Sequence, residues 1–221
     1  MVAVFASIHS RIASFATHGR GAKVGDRFPP RRLTVSTPLK VVAVNGSAHQ
    51  PSRTLVLVQA LLAELDQRLV LDTQIVDLSE IARPLGASLT RDELPPDIEA
   101  QLAAIESADL VIAAAPVYRG SFPGHFKHLF DLVGMDALAG KPVLLAATGG
   151  SDRHALVLEH QLRPLFSFLQ ALTLPIGVYA STADFDGYQV GSKSLADRIT
   201  LAVERAAPLF ANAARQLRRV A

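Results

Sequence analysis

The chain has 221 residues, 49% of them hydrophobic and 19% charged, enough apolar mass for one α/β domain with a substantial core. It contains no cysteine, which excludes disulfides, thiolate nucleophiles, zinc–cysteine centres and iron–sulfur clusters and is compatible with a reducing cytoplasm. The formal charge of +2 conceals a division, because residues 1–39 hold six Arg or Lys against one Asp and leave Lys40 to Ala221 at about −3; that excludes the basic stripe of a nucleic-acid binder, and no apolar stretch is long enough for a membrane-spanning helix.

Residues 1–39 show no sustained periodicity and carry Arg11, Arg20, Lys23, Arg27, Arg31 and Arg32 among Ser, Thr, Gly and the pair Pro29-Pro30. An organellar presequence has this basic, acid-poor character. A disordered extension, or a start codon assigned too early with Val35 encoded by GTG, accounts for it as well. The reading adopted is an extension over 1–38 ahead of a domain over 39–221.

Val41 to Val44 is apolar and rich in β-branched residues, as a parallel strand buried on both faces requires, and Asn45-Gly46-Ser47 stops it. From Ser52, the residues Leu55, Val58, Leu61, Leu62 and Leu65 fall at helical spacing. Thr73 to Leu78 alternates and predicts a peripheral second strand, and Ser79 to Pro96 reads as a long polar connection. A helix over Asp97 to Ser107 leads into an apolar strand over Asp109 to Ala115, ended by Pro116. Phe122 to Val133 predicts a helix with Pro123 in its first turn, Lys141 to Thr148 a fourth strand, and Ala155 to Leu172 a long helix. A fifth strand over Pro175 to Tyr179 and a final helix from about Ser194 past Arg218 complete the order. Strands alternating with helices predict an α/β fold with a doubly wound parallel sheet, whose ligands bind beyond the carboxyl ends of the strands.

Three of those ends have the composition of ligand loops. In the first, Gly46 permits a tight turn, Ser47, Ser52 and Thr54 offer hydroxyls, and Arg53 can pair with a dianion at the start of a helix. The plain alternative is an N-cap at Ser52 beside an idle Arg. Neither GxxxxGK[ST] nor GxGxxG is present, which favours a mononucleotide or flavin phosphate over ATP or a Rossmann-bound dinucleotide. In the second, Pro116-Val117-Tyr118-Arg119-Gly120 exposes amides and flat apolar surface suited to a planar heteroaromatic ring; otherwise it is a strand-to-helix turn with an ordinary core Tyr. The third, Thr148-Gly149-Gly150-Ser151-Asp152-Arg153-His154, reads as a ligand-facing loop or as a strand terminus with a helix cap, and His154 as a ligand contact or a solvent-facing group.

Other candidates carry less. His125 and His128 are three apart, but no carboxylate completes a metal set, and no G-x-S-x-G elbow supports acyl transfer. Asp184 to Tyr188 reads as a loop that closes over a site or joins subunits, or as an exposed turn.

Taken together, Asn45-Gly46-Ser47 to Ser52-Arg53-Thr54, Pro116 to Ser121, and Thr148-Gly149-Gly150 followed by His154 and Leu162-Arg163-Pro164 resemble the flavodoxin-like NAD(P)H-dependent FMN reductases. The likeness is strongest to the branch serving two-component sulfonate monooxygenases, and spans roughly Leu39 to Pro208. The resemblance implies a three-layer sandwich with a five-stranded parallel sheet of order 2-1-3-4-5. It implies that Ser47, Ser52, Arg53 and Thr54 hold the FMN phosphate, while Pro116 to Gly120 and Thr148 to Gly150 border the isoalloxazine. It further implies NADH or NADPH as hydride donor, a homodimer or homotetramer with the helix after Tyr118 near the interface, and release of reduced FMN to a monooxygenase. Two rival readings are a quinone, azo-dye or chromate reductase with tightly bound FMN, and a flavodoxin-type electron carrier. Such carriers are usually strongly acidic, whereas this domain is near neutral and has Arg in its first loop.

Overall fold

Strands that are apolar on both faces must lie between two helical layers, and this chain has three of them. The computed structural model describes residues 38–216, with side chains described as far as Phe210; the readings made for residues 1–37 lie outside the described residues. Strand β1 (Leu39–Asn45), β3 (Leu110–Pro116) and β4 (Pro142–Gly149) form the centre of a parallel sheet. Val41 to Val44 and Leu110 to Ala114 are fully buried. β2 (Leu71–Asp77) flanks β1, giving the order β2-β1-β3-β4.

The fifth position of the sheet is shared. In place of one strand over Pro175 to Tyr179, β5 (Leu172–Thr173) pairs with the start of β4 and β6 (Val178–Ser181) with its end. Pro175 removes a ladder donor between them, and Gly177 passes so close to β4 that a Cβ there would lie 3.1 Å from the Leu145 carbonyl oxygen. The implied order 2-1-3-4-5 is present, its last strand split in two.

Helices cover both faces. α1 (Arg53–Asp66) and α6 (Lys193–Gln216) pack on one side, where Leu57, Leu61 and Leu65 meet Leu195, Ile199 and Val203 around the sheet. α2 (Leu78–Ala87), α3 (Pro96–Ser107), α4 (Gly124–Leu132) and α5 (Arg163–Phe168) cover the other, over Phe126, Phe130 and Phe166. Any continuation of α6 past Arg218 lies outside the described residues.

Three elements differ from their sequence expectation. α2 replaces part of the connection expected from Ser79: Leu78, Ile81, Ala82 and Leu85 are buried on one face, and Asp77 caps the helix by accepting from the Ser79 amide. The long helix expected over Ala155 to Leu172 is a π-helical turn over Leu158–Leu162 followed by the short α5. The Arg163 amide reaches back five residues to the Leu158 carbonyl, and Pro164 has no amide to continue an α-helical ladder. Finally, Pro123 stands just before α4 rather than within its first turn.

Candidate functional site

Parallel register brings the carboxyl ends of the strands to one edge. Asn45 lies opposite both Asp77 and Ala114, Pro116 opposite Thr148, and Gly149 opposite Ser181. The loops beyond these residues enclose a cavity of about 230 Å³.

The first loop is held from beneath. Asn45, fully buried, donates through Nδ2 to Asp77 Oδ1 at 2.8 Å and accepts from the Ser47 amide at 3.2 Å. Gln50 Nε2 donates to Ser79 Oγ at 2.8 Å, tying the outer part of the loop to α2. Gly46 passes against β3, its amide bonded to the Ala114 carbonyl at 2.7 Å. A Cβ at 46 would stand 2.7 Å from Phe126 Cδ2 and 2.8 Å from the Ala114 oxygen, so glycine is required here by contact.

Ser52 has the extended backbone of an N-cap, and its Oγ accepts from the Leu55 amide at 3.2 Å. The first amides of α1, those of Arg53 and Thr54, have no helical carbonyl to bond and carry the positive end of the dipole. Ser47, Ser52, Arg53 and Thr54 all line the cavity. Their hydroxyls also have internal partners: Ser47 Oγ bonds the His49 backbone, and Thr54 Oγ1 lies 2.7 Å from Thr148 Oγ1, joining the first loop to the third.

Pro116, Val117 and Tyr118 line the middle of the cavity, and the Val117 amide donates to the Thr148 carbonyl at 2.7 Å. The chain then doubles back, with paired hydrogen bonds between Tyr118 and Ser121. Arg119 and Gly120 form the tip of this turn at φ 54° and 86°, outside the cavity lining. A left-handed backbone at the non-glycine Arg119 costs about 1–2 kcal/mol.

Thr148, Gly149 and Gly150 provide the third wall, braced by Tyr179. The Tyr179 hydroxyl donates to the Ser151 carbonyl at 2.5 Å, and a Cβ on Gly149 would fall 2.1 Å from that hydroxyl. Burial, with the charges of Asp152 and Asp184 nearby, pushes the Tyr179 pKa up and keeps it a donor. His154 ends an exposed 3₁₀ turn, Asp152–His154, and is not brought to the cavity.

The fourth wall comes from the segment left open between a closing loop and an exposed turn. β7 (Phe185–Asp186) and β8 (Gln189–Val190) form a hairpin, with Gly187 at φ 59° in its turn. Phe185, Tyr188 and the preceding Thr182 line the cavity beside Arg53. Arg53 Nε donates to the Gly187 carbonyl at 3.2 Å, and its guanidinium carbon lies 5.5 Å from the Tyr188 ring centroid. His49 and Pro51 complete the rim. None of these five residues stands in a loop with a phosphate-binding composition except His49 and Pro51, whose neighbours Ser47 and Ser52 were the legible signal.

The unpaired amides at the start of α1 with Arg53, the flat surface at Val117 and Tyr118, and the glycines Gly149 and Gly150 opposite line one continuous recess. The family model for NADPH-dependent FMN reductases matches residues 39–186. The chain belongs to the NADPH-dependent FMN reductase family. Among its relatives, the NADH-dependent FMN reductase SfnF of Pseudomonas fluorescens (strain Pf0-1) is 64% identical over 187 residues, covering 85% of this chain and 100% of that protein. The FMN reductase (NADPH) of Pseudomonas aeruginosa PAO1 is 63% identical over 176 residues, covering 80% of this chain and 95% of its own length. An oxidoreductase of known structure from Corynebacterium diphtheriae superimposes with a TM-score of 0.69 at 31% identity, covering 79% of this chain and 98% of that one. In this reductase family member, the described residues contain no group of three or more His, Cys, Asp or Glu side chains placed to hold a metal ion, and no helix long and apolar enough to cross a membrane.

Proposed function

We propose that this chain is an NAD(P)H:FMN oxidoreductase whose flavin lies in the recess at the carboxyl edge of the sheet. The observation that carries the reading is the convergence of the α1 amides and Arg53 with the Tyr118 and Gly149-Gly150 surfaces around one cavity. The donor set suits FMN: amides and a guanidinium for a phosphate, apolar surface for a ring, and a wall kept free of Cβ atoms at Gly149 and Gly150. When bound, the flavin supplies the hydride-accepting centre and the nicotinamide nucleotide the hydride.

The residues of the chain bind and orient. In this reading Ser47, Ser52 and Thr54 shape the phosphate end and Arg53 supplies its charge. Pro116, Val117 and Tyr118 carry one face of the ring, with Arg119 and Gly120 at the outer turn. Thr148, Gly149 and Gly150 would offer backbone amides to the polar edge of a bound ring, donors of the kind that favour negative charge there. His154 remains a rim contact only if its turn moves inward. No side-chain acid or base is needed for hydride transfer, so the chain's part is to bind and orient.

The relatives' names divide between NADH and NADPH, so both donors belong to the proposal. Reduced FMN would pass to a monooxygenase, the sulfonate-linked class being the one the sequence motifs favour, in the cytoplasm. A homodimer or homotetramer is supported by a second, apolar groove of about 570 Å³ along α4 and α5, where Met135 and Phe168 are 68% and 73% exposed. In this proposal the reductase domain spans 39–221, after the basic segment 1–38.

The test is the oxidation of NADH and of NADPH followed by absorbance with and without added FMN. Turnover that depends on added FMN is expected; a yellow protein that turns over without it would point to a tightly bound flavin and a different acceptor. Arg53→Ala should weaken FMN binding by about 1.5–3 kcal/mol, the contribution of a charge-assisted hydrogen bond, and unchanged affinity would remove Arg53 from the phosphate site.

A further inference from the structure

Arg53 serves two partners at once. Its Nε is spent on the Gly187 carbonyl at 3.2 Å, which holds the guanidinium against the hairpin, and the Tyr188 ring covers it. Among the described residues its two terminal nitrogens take no protein acceptor, so they remain for a ligand on the cavity side.

The hairpin is fixed at its base. Asp184, 9% exposed, accepts from the Ser181 amide at 2.9 Å, the Ser192 hydroxyl at 2.6 Å and the Arg198 guanidinium at 3.0 Å. The Gly191 and Ser192 amides return to the Asp184 carbonyl, and a Cβ on Gly191 would meet the Asp186 amide nitrogen at 2.9 Å. One carboxylate therefore joins the end of β6, the return of the hairpin and the start of α6. On the opposite flank, Gln50 anchors the first loop to Ser79. Both sides of the α1 N-terminus are held.

From this we propose that the β7–β8 hairpin, through Tyr188 and the Gly187 carbonyl, ends the phosphate subsite and selects a flavin with a terminal monophosphate over one whose phosphate continues into a second nucleotide. The inference rests on the reading of the cavity as the flavin site. Two effects act in the same direction. A phosphate monoester approaches a charge of −2 near neutral pH, whereas each phosphate of a diester linkage carries one negative charge, so the Arg53 guanidinium and the helix amides favour the monoester. A diester also needs room for its second substituent beside the phosphate, and there the Tyr188 ring and the Gly187 carbonyl stand against Arg53 at the cavity wall. Tyr188 excludes the wrong ligand rather than adding affinity for the right one, which is specificity obtained by obstruction.

Isothermal titration calorimetry of the full chain with FMN and with FAD tests this. Wild type should bind FMN about tenfold or more tightly than FAD, and Tyr188→Ala should shrink that ratio by about fivefold, chiefly by tightening FAD. Tyr188→Phe keeps the ring and should keep the wild-type ratio. If Tyr188→Ala does not give the wild-type circular dichroism spectrum, Tyr188→Ser at this half-exposed position makes the same measurement. A ratio within about twofold of wild type in the truncated variant, or equal FMN and FAD affinity in wild type alongside FMN-dependent NADH or NADPH oxidation, overturns the role of the hairpin alone. No FMN heat and no FMN-dependent oxidation by wild type overturns the flavin reading itself.

Discussion

Gly46→Ala isolates the contact on which the first loop depends. The added methyl would stand 2.7 Å from Phe126 Cδ2, 2.8 Å from the Ala114 oxygen and 3.1 Å from Ala115 Cα. Two of these atoms belong to the backbone of β3 at the centre of the sheet, and the third belongs to a fully buried ring. Phe126 cannot turn away freely, because its ring lies 5.6 Å from Phe122 and 4.9 Å from Phe130, which in turn lies 4.8 Å from Phe166. Relief must come from the loop, whose retreat would stretch the 2.7 Å bond from the Gly46 amide to Ala114. Overpacking a rigid interior costs about 1–3 kcal/mol, and the backbone contacts place this case near the upper end. Urea unfolding followed by circular dichroism measures the loss, and the same protein titrated with FMN should bind more weakly because Ser47 moves with the loop. A change below about 0.5 kcal/mol, the range of a substitution that meets nothing, would show that the loop has room and that the argument from contact is wrong.

The hydroxyl bond between Thr54 and Thr148 should couple the first and third loops. Thr54→Val leaves the buried Thr148 hydroxyl unpaired and should cost about 1–3 kcal/mol, while Thr54→Val with Thr148→Val should cost less than the sum of the two single changes in a denaturation cycle. For Asp184, burial raises the pKa, but the Ser192 hydroxyl, the Ser181 amide and Arg198 outweigh it and hold the carboxyl below its ordinary value of 3.8. A lowered folded-state pKa gives stability that is present above the ordinary value and lost as pH falls through the folded one. Asp184→Asn should therefore be less stable than wild type at neutral pH, with the gap closing below 3.8 in thermal melts across pH. At the apolar groove, Phe168→Glu should lower the sedimentation coefficient toward that of a monomer; an unchanged coefficient would remove this face from any interface.

Much of the architecture was legible because the central strands tolerate only one environment. Val41 to Val44 and Leu110 to Ala115 have no polar face, so they can only be interior strands. α2 was missed although Leu78, Ile81, Ala82 and Leu85 fall at helical spacing, because Pro84 and Gly86 punctuate the segment as they would a connection; burial against the sheet outweighs their poor helix propensity. The expected helix before β5 was too long because periodicity continues through Leu158, Leu162 and Leu165, while the π-helical turn changes only the hydrogen-bond step. Ten of the thirteen candidate site residues line the cavity, since each stands directly after a buried strand or at the start of α1. Arg119, Gly120 and His154 lie beyond the point where strand register fixes position. Tyr188 and Phe185 could not be ranked above an exposed turn, because their place beside Arg53 depends on a contact 134 residues away in the chain.

That separation bears on when the pocket can exist during folding. A contact between Arg53 and Gly187 closes most of the described chain into one loop, and long closures form late unless the intervening segments have already condensed. The sheet from β2 to β4 can assemble from the first two thirds of the sequence, but the wall beside Arg53 waits for β6 and the start of α6. A chain ending before the hairpin would lack both that wall and the α6 cover of one face of the sheet, so tight, selective ligand binding would report completion of the fold rather than its beginning.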